Sequence, residues 1–276
     1  MSTTAFYPIG VPGQPWGAAE RAAWLARQSK LRSYVDEVVG KIDASRARFD
    51  VQQYGEIVYG DERYPLFAVR NRDWSESLPI ALVTGGVHGY ETSGVHGALK
   101  FLDELAAQYA GRINLLVAPC VSPWAYERIH RWNARAIDPN RSFRDGGLCD
   151  EAAALMRLVA PLQDRIFVHV DLHETTDSDE SEFRPALAAR DGKPYEPDTI
   201  PDGFYLVDDA AKLKLEGEIM KVVDNQLGAV ARPARVRFVS VLPKTRSGKL
   251  LRRAIQAVCE GRDAGDLTTM DDPAAL

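Results

Sequence analysis

The segment Pro79–Thr84 (PIALVT) runs without a charge straight into Gly85-Gly86. A short apolar run closed by glycine is what a strand buried on both faces of a sheet requires. It constrains the fold more than any other stretch of the chain. Two more β-prone runs follow, Ile113–Ala118 and Ile166–Leu172 (IFVHVDL). Helical patterns separate them. Ser93–Tyr109 places Val95, Leu99, Leu102 and Leu105 on one inner face, and Ala152–Leu162 is a second helix. Strand alternating with helix predicts an α/β three-layer sandwich, with a mixed, mainly parallel central sheet flanked by helices.

Ahead of this core, Leu31, Val35, Val38 and Ile42 recur at helical spacing, so one amphipathic helix is expected over roughly Ala18–Ala47. Val51–Gly60 and Arg63–Arg70, parted by Asp61 and Glu62, read as a hairpin. Ala188–Gly203 is rich in Asp-Gly and Pro and reads as a turn-rich surface segment. Beyond it a helix (about Ala210–Leu227), a strand (Val236–Val241) and a helix (about Leu250–Glu260) are expected, then a polar end from Gly261.

Composition narrows the function classes. The 276 residues carry a net charge of −5, which gives no bulk electrostatic reason to expect nucleic acid. Three cysteines at wide spacing (Cys120, Cys149, Cys259) argue against a disulfide scaffold. The N-terminus lacks the layout of a signal peptide, and no apolar stretch is long enough to span a bilayer. A cytoplasmic protein with no membrane partner is the expectation.

Chemistry concentrates in three places. The first strand runs into GGVHGYE, which puts His88 and Glu91 just past its carboxyl end, where ligands gather in open α/β sheets. VDLHE puts His173 at a later strand end. Two imidazoles and one carboxylate form a typical catalytic zinc set, with the fourth position left to water. Gly85, Gly86 and Gly89 permit the tight turn such convergence needs. A lone H-x-x-E arises often by chance. His169 reads as a packed neighbour of Asp171, and His130 as a surface or loop histidine. The third place is RWNARAIDPNRSF at 131–143, whose Asn140-Arg141 pair is a donor-rich fork suited to a carboxylate.

Together the three motifs resemble the zinc carboxypeptidase family of the carboxypeptidase A type, over about residues 50–205. The pattern G-G-x-H-G-x-E, then R-x-N followed by D-x-N-R-x-F, then D-x-H is matched in order and spacing. Pro139 stands where the family more often has an aliphatic residue. The resemblance implies that His88, Glu91 and His173 hold one Zn2+ ion. It implies that Asn140 and Arg141 bind a substrate carboxylate and that Arg131 polarises the scissile carbonyl. The related succinylglutamate desuccinylase/aspartoacylase branch shares much of this set. Both branches hydrolyse amides next to a carboxylate, so the expected partner is a small molecule or peptide with a free carboxylate. The family's general-base Glu, in a context like T-E-x-Y-P, has no counterpart after His173. Glu174, Glu180 and Glu182, the last two within DSDESEF, read as a solvated loop. A zinc-binding protein without turnover is therefore the other reading of the same residues.

The tail differs. From Leu215, and most specifically in PKTRSGKLLRR with Lys249, it resembles the extreme C-terminus of AMP-forming acetyl- and propionyl-CoA synthetases. Two parts are expected: residues 1–209, zinc-carboxypeptidase-like with its C-terminal strands replaced, and residues 210–276, a synthetase-like fragment.

Overall fold

The computed structural model describes residues 7–195, 252–259, 262, 263 and 267. The chain divides into two compact units, Met1–Asp198 and Thr199–Leu276.

In the first unit, the hairpin forms as the sequence predicts: β1 (Phe49–Tyr59) pairs antiparallel with β2 (Glu62–Asn71). The three core strands follow as β3 (Ile80–Gly85), β4 (Asn114–Ala118) and β5 (Ile166–Leu172). The strand order is β1-β2-β4-β3-β5. The β4-β3-β5 half is parallel, and the hairpin joins it through antiparallel β2–β4 pairing. The sheet is therefore mixed, with its parallel half at the centre of the α/β units.

Every residue of β3 and β4 is buried. Successive side chains of a strand point to opposite faces, and the packing follows that alternation. Ala81 and Val83 lie in one cluster with Val95, Ala98 and Leu99 of α3 (Thr92–Lys100). Ile80 and Leu82 face the other way, toward Leu158 and Val159 of α5 (Asp150–Val159). Helices thus cover both faces, giving three layers.

Two short helices complete the layer carrying α3: α2 (Gly40–Ser45) and α4 (Pro123–Arg128). The single helix expected over 18–47 is instead two. α1 (Ala18–Leu25) stops, and helical structure resumes at Val35. The amides of Leu31 and Arg32 bond the Glu127 carbonyl, and the Tyr34 amide bonds the Glu127 carboxylate at 3.1 Å. Tertiary acceptors thus take the donors a continuous helix would have used. Leu31 and Val35 are exposed, while Val38 and Ile42 are buried, so only half of the apolar stripe faces the core. The turn-rich segment starts later than expected, because α6 (Arg184–Arg190) extends into it.

β5 is the outer strand among the described residues, and Phe167, Val168 and Val170 stand exposed on it. In the second unit α7 (Arg252–Cys259) falls inside the helix expected at 250–260, with Ala254 and Ala257 buried. The expected elements at 210–227 and 236–241, and PKTRSGK with Lys249, lie outside the described residues.

The two ends of the burial scale separate in a stability assay. Leu116→Ala, at the sheet centre, is expected to cost about 2–5 kcal/mol, whereas Phe167→Ala changes stability by no more than about 0.5 kcal/mol. Urea unfolding of both variants checks this; a large loss for Phe167→Ala shows that β5 is covered in solution.

Candidate metal centre

The parallel register of β3 and β5 sets the site. Gly85 pairs with Leu172 at the carboxyl ends of the two strands. His88 follows three residues after the first of these, and His173 one residue after the second. The β3–α3 turn is compact for two reasons. Gly86 takes a left-handed φ of +61°, and a Cβ on Gly89 would lie 1.9 Å from the Ala125 carbonyl carbon of α4. Only glycine allows the turn to sit this close to α4.

One carboxylate oxygen gathers both imidazoles. Glu91 Oε1 lies 2.7 Å from His88 Nδ1 and 2.6 Å from His173 Nδ1. The candidate donor atoms of His88, Glu91 and His173 lie within 4.8 Å of one another. Glu91 Oε2 accepts the His88 amide at 3.1 Å, which fixes the carboxylate plane. His88 and Glu91 are buried, and the His173 side chain is 36% exposed, so the cluster opens on the His173 side.

Each histidine is also held from behind. His88 Nε2 bonds Asp138 Oδ1 at 2.9 Å, and His173 Nε2 bonds Asp171 Oδ2 at 2.6 Å. A carboxylate on the distal nitrogen fixes ring tautomer and direction and is the usual arrangement around a ligating histidine. Asp171 accepts the Thr84 hydroxyl at 2.7 Å, and that hydroxyl also meets His169 Nε2 at 2.8 Å. His169 therefore stands behind the cluster, as its spacing suggested. The donor set fits a divalent cation such as zinc: two imidazole nitrogens and a carboxylate oxygen, both rings oriented from outside.

The electrostatics follow from these contacts. Burial pushes Glu91 up, but the hydrogen bonds and charges of His173 and His88 outweigh it and hold the carboxyl down to about 2. Burial pushes His173 down, yet Asp171 and Glu91 together raise it to about 10. Asp138 is held well below the usual carboxylate range, because His88 and Arg131 overcome its burial.

The loop after β4 supplies the remaining groups. Arg131 bonds Asp138 through Nε at 3.2 Å and the Tyr90 hydroxyl through Nη1 at 2.7 Å. Its Nη1 also lies 3.2 Å from Asp179 Oδ1. Asp138 caps the turn Pro139–Arg141 by accepting the Asn140 amide at 2.9 Å. Asn140 is half-buried and Arg141 exposed on that turn. The structure thus brings His88, Glu91 and His173 together directly and ties Arg131 to them through Asp138. Asn140 and Arg141 stand on the adjoining turn.

Two expectations change. DSDESEF is not a solvated loop, since Asp179 and Phe183 are buried. Glu174 bonds Ser93 N and Oγ at the start of α3, Glu180 pairs with Arg184, and Glu182 accepts the Tyr7 hydroxyl. His130 is buried against Trp24, and its burial pushes its pKa down to about 4. The sequence reading missed Asp138, Asp171 and Tyr90 as site residues. All three sit inside the motifs it quoted, and Asp171 was available from its i,i+2 spacing to His173 on a strand.

With this geometry established, comparison with known proteins gives two separate matches. Residues 77–193 match the family model of the succinylglutamate desuccinylase/aspartoacylase catalytic domain. That interval holds the whole cluster and names the second of the two branches that the motifs resemble. Residues 188–249 match the AMP-binding enzyme C-terminal domain. A propionate–CoA ligase of Salmonella typhimurium is 59% identical over 83 residues, covering 30% of this chain and 12% of the ligase. The Escherichia coli propionate–CoA ligase is 70% identical over 61 residues, covering 22% of this chain and 10% of the ligase. The chain therefore spans about a tenth of these curated relatives.

Among solved structures, a candidate metallopeptidase from Shewanella denitrificans is 25% identical with a TM-score of 0.45, covering 51% of this chain and 53% of that one. A metallo-carboxypeptidase from Burkholderia cenocepacia is 16% identical with a TM-score of 0.41, covering 58% and 42%.

Two outcomes follow for the cluster. Asp138→Asn is expected to weaken zinc binding about 10–100-fold by releasing the His88 ring; competition with a fluorescent chelator measures it, and unchanged affinity removes Asp138 from the site. If His173 is a ligand, zinc displaces a proton from a group that Asp171 and Glu91 hold up to about 10, so affinity is expected to rise with pH between 6 and 9, approaching tenfold per unit. A flat profile in the same assay counts against His173 as a ligand.

Proposed function

We infer that residues 1–209 form a zinc-dependent hydrolase acting on an amide bond next to a substrate carboxylate, in the manner of the aspartoacylase and desuccinylase branch. One observation carries this reading: the Nδ1 atoms of His88 and His173 converge on Glu91 while both Nε2 atoms are held by aspartates. The match over residues 77–193 supports an N-acyl amino acid over a long peptide as substrate.

His88, Glu91 and His173 would hold one Zn2+ ion, which when bound supplies a Lewis acid for the amide carbonyl and acidifies water. The chain's own residues then bind and orient the substrate. Asn140 and Arg141 present an amide and a guanidinium from one turn, a geometry that receives a carboxylate through charge-assisted bonds. Asp138 and Asp171 keep both imidazoles in the tautomer with Nδ1 facing Glu91, because each accepts the Nε2 proton. Arg131, next to Asp138, carries the positive charge available to a substrate carbonyl.

A second reading, zinc binding without turnover, is favoured by the placement of the nearby glutamates. Glu174 is committed to the start of α3, and Glu180 and Glu182 bond elsewhere. A general base within hydrogen-bond reach contributes about 10²–10⁴-fold to the rate.

A zinc assay paired with hydrolysis of N-acetyl amino acids by the purified chain separates the readings. Zinc with turnover supports the first, zinc without turnover the second, and neither defeats both. His88→Ala or His173→Ala is expected to abolish zinc retention, and unchanged stoichiometry in either variant rejects the ligand assignment. Arg141→Ala is expected to weaken binding of a small carboxylate inhibitor by about 1.5–3 kcal/mol; equal affinities by calorimetry take Arg141 out of the pocket.

A further inference from the structure

The break in the N-terminal helical stretch brings one side chain against the turn between β3 and α3. The amides of Leu31 and Arg32 both bond the Glu127 carbonyl, which pins this segment to the C-terminal end of α4. From there the Arg32 guanidinium reaches three acceptors on two elements. Nε donates to the Tyr126 carbonyl of α4 at 2.7 Å, Nη2 to the Gly89 carbonyl at 2.8 Å and Nη1 to the Thr92 hydroxyl at 2.8 Å. The guanidinium carbon also lies 3.5 Å from the centre of the Tyr126 ring. Gly89 directly follows His88, and Thr92 directly follows Glu91. Each candidate ligand on this turn is therefore followed at once by a residue that Arg32 holds.

These bonds fall where the turn lies closest to its support. A Cβ on Gly89 would stand 1.9 Å from the Ala125 carbonyl carbon and 2.2 Å from the Tyr126 nitrogen. The two elements meet backbone to backbone, so hydrogen bonds across the contact set their alignment. Ser122 donates to the Gly86 and Val87 carbonyls at the start of the turn, and the Tyr90 amide bonds the His130 carbonyl. Arg32 adds the two points next to His88 and Glu91. All three of its acceptors are neutral, so the fork of the guanidinium matters here as well as its charge. A charged donor makes each of these bonds stronger than a neutral one would. Lysine, a point charge on a flexible stem, does not span the same three acceptors.

We propose that Arg32 is a positioning residue for the metal centre. By bridging Tyr126 to Gly89 and Thr92 it fixes the backbone from which His88 and Glu91 meet the ion. The inference rests on the reading of His88, Glu91 and His173 as ligands of a divalent cation. Arg32 acts through the turn rather than on the ion.

Three measurements on the full chain test this: zinc affinity by chelator competition, the visible absorption of the Co2+-loaded form, and hydrogen exchange without metal. Arg32→Ala is expected to bind zinc about tenfold more weakly, the low end for groups that orient metal ligands, with shifted Co2+ bands. Without metal, exchange in this variant is expected to quicken at amides 87–92 and to stay as in wild type in β3 and β4. Arg32→Lys is expected to bind zinc as weakly as Arg32→Ala. Exchange that quickens equally in the strands overturns the proposal, as do zinc affinity and Co2+ bands unchanged in folded Arg32→Ala. A lysine that restores wild-type affinity also overturns it, because charge alone then suffices. Should Arg32→Ala not fold, Thr92→Val decides, since it removes one acceptor and keeps the shape. Zinc binding about threefold weaker supports the role, and unchanged affinity overturns it. A wild-type chain that takes up neither ion rejects the ligand assignment itself. Wild-type uptake that the Arg32 variants leave unchanged removes only the role of Arg32.

Discussion

The parallel pairing of β3 with β5 is the constraint on which the rest of the first unit depends. It turns a separation of 82 positions between Glu91 and His173 into a 2.6 Å contact. β3 is fixed in the core by burial on both faces, since Ile80 and Leu82 pack toward α5 while Ala81 and Val83 pack toward α3. β5 pairs alongside it in the register that sets Gly85 opposite Leu172, and that register brings the two histidines to a common point.

Around that point the charges are arranged in series. Asp138, His88, Glu91, His173 and Asp171 form an unbroken chain in which carboxylates alternate with imidazoles. Each carboxylate is buried or half-buried and accepts from a neighbour, which satisfies the requirement that buried polar groups be bonded. Arg131 extends the series beyond Asp138 to Asp179 and Tyr90. That arginine links the turn after β5, through Asp138, to the histidine on the turn after β3.

The two family matches meet over residues 188–193, close to the boundary between compact units at 198 and 199. The family matches and spatial compactness therefore divide the chain in nearly the same place, slightly ahead of the division at 209 and 210 expected from the resemblance of the tail. The ligase-like stretch corresponds to a small portion of those enzymes, and the chemistry argued above resides entirely in the first unit.

Much of this was legible in the residues. The uncharged runs at β3 and β4 and the hairpin announced their strands, because burial on one or both faces imposes an apolar pattern of period one or two; IFVHVDL announced β5 through its β-branched and aromatic residues, although that strand is largely exposed. His88, Glu91 and His173 were legible because the turn after a sheet strand is where side chains converge, and a metal needs those donor types. The break in the N-terminal helix was not legible, since it depends on Glu127, nearly a hundred positions away, accepting the amides of Leu31 and Arg32. Nor was the burial of Asp179 and His130. Charge and polarity alone place such residues on the surface, and only a tertiary arrangement of donors or aromatic rings brings them inside. The sequence by itself determined the elements and the candidate donors, both of which are local patterns. Which carboxylate stands behind which histidine, and what Arg131 holds, was decided by the tertiary structure, because a hydrogen bond between distant residues leaves no periodic trace along the chain.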